Sequence, residues 1–125
     1  MTKDKILIYD DDEEILLLCK TILLKYGYEV VTKIRCENIV ADIETVQPNL
    51  VLMDLWIPEI GGEKAIDFAK TNESSANTPI ILFSANADIE EICTRSGADG
   101  YIEKPFDIKS FIQTIERTIA KKDNQ

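Results

Sequence analysis

Two patterns of apolar and polar positions alternate along this chain. Short, nearly continuous apolar runs predict buried strands at about 5–9, 28–32, 50–54, 79–83 and 100–103. The longer stretches between and after these runs carry apolar residues at helical spacing. Strict alternation of five strands with five helices predicts an α/β domain built on a parallel sheet, and right-handed crossovers then place helices on both of its faces.

Each predicted helix has one apolar face. The first helix begins after Asp12, whose side chain suits an N-cap, and ends at Gly27, the residue type favoured just beyond a helix. The fourth ends near Gly97, residues 71–78 are predicted to be an exposed polar connection, and residues 121–125 a polar tail. The five apolar faces comprise Ile15, Leu18, Cys19, Ile22 and Leu23; Ile39, Val40, Ile43 and Val46; Ala65, Ile66 and Ala69; Ile89, Ile92 and Cys93; and Ile108, Phe111, Ile112, Ile115 and Ile119.

Reactive side chains follow four of the predicted strands. Asp10 and Asp11 come directly after the first strand, and Asp54 ends the third. Ser84 follows the fourth strand, and Lys104 follows the fifth. Because sites in open α/β sheets form at the carboxyl ends of the strands, we expect these carboxylates, the hydroxyl and the ammonium to converge on one edge.

The bulk composition predicts one globular domain that spans residues 1–125. The length of 125 residues and the hydrophobic fraction of 45% are those of a single folded unit. No apolar run approaches the length of a membrane span and the N-terminus lacks the apolar stretch of a signal peptide, so we expect a cytoplasmic protein without membrane contact. The net charge of -9 argues against a nucleic-acid-binding surface, which needs a basic footprint.

The sequence contains no histidine, and its three cysteines are widely spaced. The lack of histidine excludes Ser-His-Asp and Cys-His nucleophile systems and histidine-ligated zinc. Cys19, Cys36 and Cys93 have no metal-ligand spacing, and we expect free thiols, at least two of them on buried helix faces. Carboxylate, hydroxyl and ammonium chemistry remains.

Three acids, Asp10, Asp11 and Asp54, are candidates for binding one divalent cation. Two carboxylates about 4 Å apart repel by roughly 4 kcal/mol at an effective dielectric constant of about 20, so a buried group of them needs a cation or a proton. Mg²⁺ suits such a site, because it takes a few carboxylates, water and a phosphate oxygen. Beside it, Asp54 would be a carboxylate nucleophile that forms an aspartyl-phosphate, with Ser84 and Lys104 binding further phosphoryl oxygens.

Four motifs, in order and each at a predicted strand end, resemble the receiver domain of bacterial two-component response regulators, including the stand-alone chemotaxis type. Together they span nearly the whole chain. They are Ile8–Asp12, Met53–Pro58, Phe83–Ala85 and Tyr101–Phe106. The resemblance implies a flavodoxin-like, doubly wound, five-stranded parallel sheet of order 2-1-3-4-5 with five helices.

The resemblance also implies which residues accept the phosphoryl group and bind the metal. Asp54 is expected to be the phosphoacceptor. Asp10, Asp11 and Asp54 are expected to bind Mg²⁺, with Asp11 the closer ligand of the first two. Trp56 stands at the position whose backbone carbonyl binds the metal, so its unusual side chain need not disturb ligation.

The remaining roles concern the hydroxyl, the lysine and the aromatic residue near it. Ser84 is expected to turn its hydroxyl toward the phosphoryl group, and Ala85 to leave that group accessible. Lys104 is expected to bind a phosphoryl oxygen, and its peptide bond to Pro105 is expected to be cis. Tyr101 is expected to act as a switch that moves inward with the hydroxyl.

The implied function is a phosphorylation-dependent signalling switch, with no enzymatic activity beyond self-catalysed phosphoryl transfer and hydrolysis. A sensor histidine kinase or phosphotransfer protein is expected to supply the phosphoryl group. The change is expected to reach an unidentified downstream protein through the face of the fourth helix, fifth strand and fifth helix, without direct nucleic-acid binding. We expect either a stand-alone regulator or the receiver part of a longer protein.

Tyr9 and Trp56 depart from the family's usual residues. Tyr9 stands where an aliphatic residue is usual. Trp56 and Asn86 occupy two positions that in the family help to set the lifetime of the phosphoryl group. An asparagine can orient a water molecule, whereas we expect Trp56 to lie partly exposed over the site and to shield the phosphoryl group. We therefore predict that the phosphoryl group is long-lived, which makes the phosphorylated form stable against hydrolysis.

Three other functions fit the residues less well. A receiver-like interaction module that signals without phosphate would be expected to lack part of the acid cluster or the lysine, and both are present. A Mg²⁺-dependent phosphatase with an aspartyl nucleophile typically has a second aspartate two residues later, where this chain has Trp56. A nucleotide or flavin site is not indicated, because no glycine-rich phosphate loop follows the first strand.

Overall fold

The computed structural model describes residues 3–123, in which five strands and five helices alternate as predicted. The elements are β1 (Lys5–Tyr9), α1 (Glu13–Lys25), β2 (Glu29–Lys33), α2 (Ile39–Val46), β3 (Leu50–Asp54), α3 (Gly62–Thr71), β4 (Ile80–Ser84), α4 (Ile89–Ser96), β5 (Gly100–Glu103) and α5 (Ile108–Asp123). The predicted polar tail is helical as far as Asp123, and residues 124–125 lie outside the described range. Within that range no helix is both long enough and apolar enough to cross a membrane.

The strands form one sheet in the order β2-β1-β3-β4-β5, and every neighbouring pair is parallel. This confirms the predicted flavodoxin-like, doubly wound arrangement. β3 and β4 are buried at every position, because helices cover both faces of a parallel sheet. Their unbroken apolar runs follow from that burial.

The sheet separates two apolar cores. Successive residues of a strand point to opposite faces, so Leu7 and Tyr9 enter one core, whereas Ile6 and Ile8 enter the other. The first core is completed by α2, α3 and α4. The second is completed by α1 and α5.

Helix α1 begins and ends where the sequence predicts. The Asp12 carboxylate accepts two amide hydrogens from the first turn, at 3.0 and 3.3 Å. At the other end Gly27 adopts a φ of 89°, a conformation that favours glycine. The amides of Gly27 and Tyr28 donate back to the carbonyls of Leu24 and Leu23, which satisfies the last turn.

Two residues predicted to lie on buried helix faces are exposed instead. Leu18 is 46% exposed, and Leu16 takes its place in the core. Leu16, Cys19 and Leu23 follow i, i+3, i+7 spacing, whereas Leu18 is turned by about 100° from its neighbour Cys19. Ile108 is exposed because it is the first residue of α5, one turn before the first buried residue of that helix.

Two smaller predictions also need correction. Strand β2 begins at Glu29 rather than at residue 28, because the amide of Tyr28 completes the end of α1. The predicted exposed connection 71–78 contains a buried residue, Ser75. Its hydroxyl donates to the Ala69 carbonyl at 2.7 Å, so this loop is fastened to the end of α3.

The three cysteines are free and buried. Cys19 lies on α1 and Cys93 on α4, which confirms that at least two occupy buried helix faces. Cys36 lies in the loop before α2. Burial raises the pKa of the Cys36 thiol to about 11, so this thiol is protonated at neutral pH.

Tyr9, the aromatic departure in β1, connects the sheet to α2. Its side chain is fully buried, and its hydroxyl donates to Asp42 Oδ2 at 2.6 Å. The second oxygen of that carboxylate lies 3.8 Å from Lys33 Nζ. Burial and the hydrogen bond to Asp42 both raise the pKa of Tyr9, which keeps the phenol protonated and donating.

We predict that Tyr9→Phe lowers the free energy of unfolding by about 1.5 to 3 kcal/mol, the range for a hydrogen bond to a charged group. Tyr26→Phe is the matched control, because the Tyr26 side chain is exposed and its hydroxyl should contribute less than about 0.5 kcal/mol. Urea denaturation of the three proteins measures both values. Equal values for the two variants would contradict the anchoring role of Tyr9.

Candidate functional site

Three carboxyl groups meet at the carboxyl ends of β1 and β3. Asp10 directly follows β1 and is 1% exposed, and Asp54 is the last residue of β3 and is 5% exposed. Asp11 is exposed beside them. One carboxylate oxygen from each of the three lies within 4.8 Å of the others. The predicted acid cluster is therefore assembled by the sheet, with two of its members buried.

The backbone around Asp10 fixes the orientation of its carboxylate. Its amide donates to the Lys33 carbonyl at 3.1 Å, which continues the β1–β2 ladder by one residue. Its Oδ1 accepts the amide of Asp12 at 2.9 Å, at the point where α1 begins. The other oxygen, Oδ2, is thereby directed to the centre of the site, where it meets Lys104.

Lys104 brings one positive charge to the buried acids. Its Nζ lies 2.6 Å from Asp10 Oδ2 and 3.3 Å from Asp54 Oδ1. The same nitrogen lies 4.5 Å from the ring centroid of Phe83, a cation-π contact. The Lys104 amide donates to the Ser84 carbonyl at 2.9 Å, and the peptide bond between Lys104 and Pro105 is cis, as predicted.

The positive charge of Lys104 does not fully compensate for the cost of burying the charged carboxylates. Burial and the neighbouring charge of Asp10 raise the pKa of Asp54 from 3.8 to about 6, although Lys104 acts in the opposite direction. Burial alone would lower the pKa of Lys104, but its hydrogen bond to Asp10 and the charges of Asp54 and Asp10 give a net increase. The site therefore holds excess negative charge at neutral pH.

The chemistry of the site fits a hard divalent cation. The cluster offers carboxylate oxygens only, and Mg²⁺ prefers oxygen ligands and accepts a few carboxylates. Among the described residues, amides of the following loop bond the carbonyls of Asp54, Leu55 and Ile57. No described amide bonds the carbonyl of Trp56, which leaves that oxygen for another partner.

Ser84 and Asn86 form the next part of the edge. Ser84 is the last residue of β4 and is buried. Its hydroxyl oxygen accepts the amide of Asn86 at 3.2 Å. The Asn86 side-chain oxygen accepts the amide of Asp88 at 2.7 Å, so in this structure the asparagine shapes the turn before α4.

The two remaining aromatic residues predicted for the site differ in exposure. Trp56 is 70% exposed, which confirms its predicted exposure and makes it the most exposed of the large apolar side chains described. Tyr101 is half-buried on β5, where it packs against the core on the side of α4. The Tyr101 side chain is therefore neither fully packed into the core nor fully exposed to solvent.

Two contacts of the site were not predicted from the sequence. A Cβ atom on Gly62 would lie 2.5 Å from the backbone oxygen of Asp54, so only glycine allows α3 to begin this close to the end of β3. The contact of Phe83 with Lys104 was also missed, and the apolar run of β4 contains no signal for it.

This chain is similar to known proteins over nearly its whole length. The model of the response regulator receiver domain matches residues 6–116. The nisin biosynthesis regulatory protein NisR of Lactococcus lactis is 37% identical over 95% of this chain and 52% of its own length. The protein PilG of Pseudomonas aeruginosa is 27% identical over 90% of this chain and 84% of its own length. This chain spans about half the length of the first curated relatives that it matches.

Solved structures share the fold over almost the full chain. A CheY-like response regulator receiver domain protein from Methanospirillum hungatei superposes with a TM-score of 0.87 at 27% identity and covers 98% of each chain. The receiver domain of the sensor histidine kinase PA1611 from Pseudomonas aeruginosa gives a TM-score of 0.86 at 25% identity. That match covers 95% of this chain and 99% of the other, whose structure has a magnesium ion coordinated in the active-site cleft.

We predict that Asp54→Asn is more stable than the wild type in metal-free buffer at pH 7.5, by about 2 to 3 kcal/mol. The folded protein binds the Asp54 proton more tightly than the unfolded chain does, because its pKa rises from 3.8 to about 6. The resulting stabilisation is complete below pH 4 and is lost as the pH rises through 6. The advantage of the variant should therefore shrink toward pH 4.

Urea denaturation between pH 4 and 8 measures this difference. Asp11→Asn is the control, because it removes the same charge from an exposed position and should give a much smaller gain at pH 7.5. If the free energy of unfolding rose no more in Asp54→Asn than in Asp11→Asn, the unfavourable burial of the Asp54 charge would be disproved.

Proposed function

This chain belongs to the response regulator receiver family, and from that premise we propose that Asp54 accepts a phosphoryl group from a sensor histidine kinase or a phosphotransfer protein. The observation that carries the proposal is the position of the Asp54 carboxylate, which is buried at a strand end beside Asp10, with one oxygen 3.3 Å from the ammonium of Lys104. A nucleophile needs to be both charged and reachable, and an Asp54 pKa of about 6 leaves it mostly ionised at neutral pH.

The transfer exchanges one phosphorus bond for another. An Asp54 oxygen attacks the phosphorus of the donor's phosphohistidine, and the new P–O bond forms as the donor's P–N bond breaks. The donor histidine, protonated on its other ring nitrogen, leaves as neutral imidazole, and Asp54 becomes an aspartyl-phosphate. Receiver domains are signalling switches rather than classical enzymes, and the catalysis we propose for this chain is limited to its own phosphorylation and hydrolysis.

The proposed metal ligands are Asp10, Asp11, Asp54 and the backbone carbonyl of Trp56. When bound, Mg²⁺ would supply positive charge that offsets the charge of a phosphoryl oxygen. This cofactor assignment is supported by the three clustered carboxyl groups and by the Trp56 carbonyl, to which no amide of the described residues donates.

Lys104 and Ser84 are proposed to convert the new charge into a change of shape. Lys104 Nζ lies 3.3 Å from the Asp54 oxygen and can pair with a phosphoryl oxygen when the carboxylate is phosphorylated. The Ser84 hydroxyl would leave the amide of Asn86 and donate to another phosphoryl oxygen. Tyr101 would then move into the space that the hydroxyl vacates, as the predicted switch.

The output is proposed to be a change in the face formed by α4, β5 and α5, which binds a downstream protein. Direct nucleic-acid binding by this domain is not proposed, because the net charge is -9. We also propose a cytoplasmic location, where a histidine kinase can reach the site.

We predict one phosphoryl adduct on the intact protein after incubation with acetyl phosphate, and only when Mg²⁺ is present. Asp54→Asn should give no adduct, because the nucleophile is lost. Intact-mass spectrometry of both proteins, with and without Mg²⁺, measures the outcome. If a folded wild-type protein binds Mg²⁺ but forms no adduct, the phosphate-independent interaction module is the better description.

We predict that Trp56→Asn speeds dephosphorylation, because we propose that the exposed indole, two residues after the acceptor, shields the phosphoryl group, whereas asparagine would orient water instead. Decay of the phosphorylated protein after removal of acetyl phosphate, followed by intact mass, gives the rate. Trp56→Phe is the control and should stay near the wild-type rate, because it keeps an aromatic side chain. An unchanged or slower decay in Trp56→Asn would reject shielding.

A further inference from the structure

A trough runs between α2 and α3, outside the site and outside the proposed output face. It consists of two adjoining cavities of about 490 and 350 Å³. Both cavities are lined by Glu37, Ile60 and Phe68, so they form one continuous depression. We call it the α2–α3 trough. Nothing in the phosphorylation chemistry requires it.

The floor of the trough is apolar. Val40 from α2 and Ile60 from the loop before α3 are half-buried and pack against the core below. Phe68 is 46% exposed, although its neighbours on the outer side of α3 are polar. An aromatic side chain this exposed contributes little to the stability of the fold. It is the kind of residue that anchors a partner protein.

The rim of the trough is acidic. Glu37, Glu44 and Glu59 line it and are exposed, against one lining base, Lys64. Arg35 makes a 3.5 Å pair with Glu37, but both side chains are well exposed and the pair is weak. This sign of charge repels nucleic acid and anionic lipid and favours a segment with lysine or arginine.

The backbone at one end of the trough is strained. Glu59 has a φ of 82°, which is unusual for a residue other than glycine. Its loop is held there by an amide of Cys36 that donates to the Pro58 carbonyl at 3.5 Å. Backbone strain of this kind is concentrated at functional positions. Here the strained segment contains Glu59 and Ile60, which both line the trough.

We propose that the α2–α3 trough docks a basic amphipathic helix of a partner protein, with apolar side chains on Phe68, Ile60 and Val40 and lysine or arginine toward the glutamates. The eight residues of α2 extend about 12 Å, which matches about two turns of a partner helix. Two turns present apolar residues at i, i+3 or i+4, and i+7, the pattern of helix-in-groove recognition.

The probe for this surface is a synthetic helical peptide with leucine on one face and lysine at the other positions. Its binding to the unphosphorylated wild-type chain is measured by titration, and the site is located from amide chemical shifts. We expect one binding site, with the largest shifts at Val40, Ile60 and Phe68. A peptide with glutamate in place of every lysine should not bind.

Matched variants separate this surface from general attraction between opposite charges. Phe68→Ala should weaken binding about tenfold, whereas Leu24→Ala, an equally exposed apolar change on α1, should not. Glu44→Lys should weaken binding several-fold more than Glu116→Lys, which makes the same change in net charge on α5.

Two results would overturn the proposal. One is shifts centred on Asp10, Asp11 and Asp54 rather than on the trough. The other is equal weakening by Glu44→Lys and Glu116→Lys with no effect of Phe68→Ala. Neither result bears on phosphorylation of Asp54, because the titration uses the unmodified protein.

Discussion

Two buried carboxyl groups share one ammonium, and the site depends on this imbalance. Asp10 and Asp54 are almost fully removed from water. Among the described residues, only Lys104 pairs with both carboxylates. Burial, together with the neighbouring charge of Asp10, raises the pKa of Asp54. The excess negative charge favours binding of a divalent cation, whose positive charge would offset that of the carboxylates and of a phosphoryl oxygen.

The parallel sheet is what makes this arrangement possible. In the register of the sheet Tyr9 is opposite Met53 and Asp54 is opposite Phe83, so the three central strands end at nearly the same level. Asp10 and Ser84 therefore lie next to Asp54 without any special loop. Gly62 completes the arrangement, since a larger residue would push α3 away from the end of β3.

The strand ends, and with them the residues of the site, could be predicted from the sequence, because apolar runs followed by polar residues mark them directly. Three features could not be predicted from the sequence: the depth of burial of Asp10 and Asp54, the contact of Lys104 with Phe83, and the hydrogen bond of Tyr9 to Asp42. These contacts join residues far apart in the chain, and their distances follow only from packing. Leu18 shows the related limit on helices, where a shift of one position along the apolar stripe turns a side chain out of the core.

The most direct test of the charge imbalance is calorimetric titration of the unphosphorylated protein with Mg²⁺ at pH 7.5 and at pH 5. A single Mg²⁺ site is expected, with clearly lower affinity at pH 5, because Asp54 takes up a proton below its pKa of about 6 and competes with the metal. No binding at pH 7.5, or an affinity that is the same at both pH values, would contradict this account of the site.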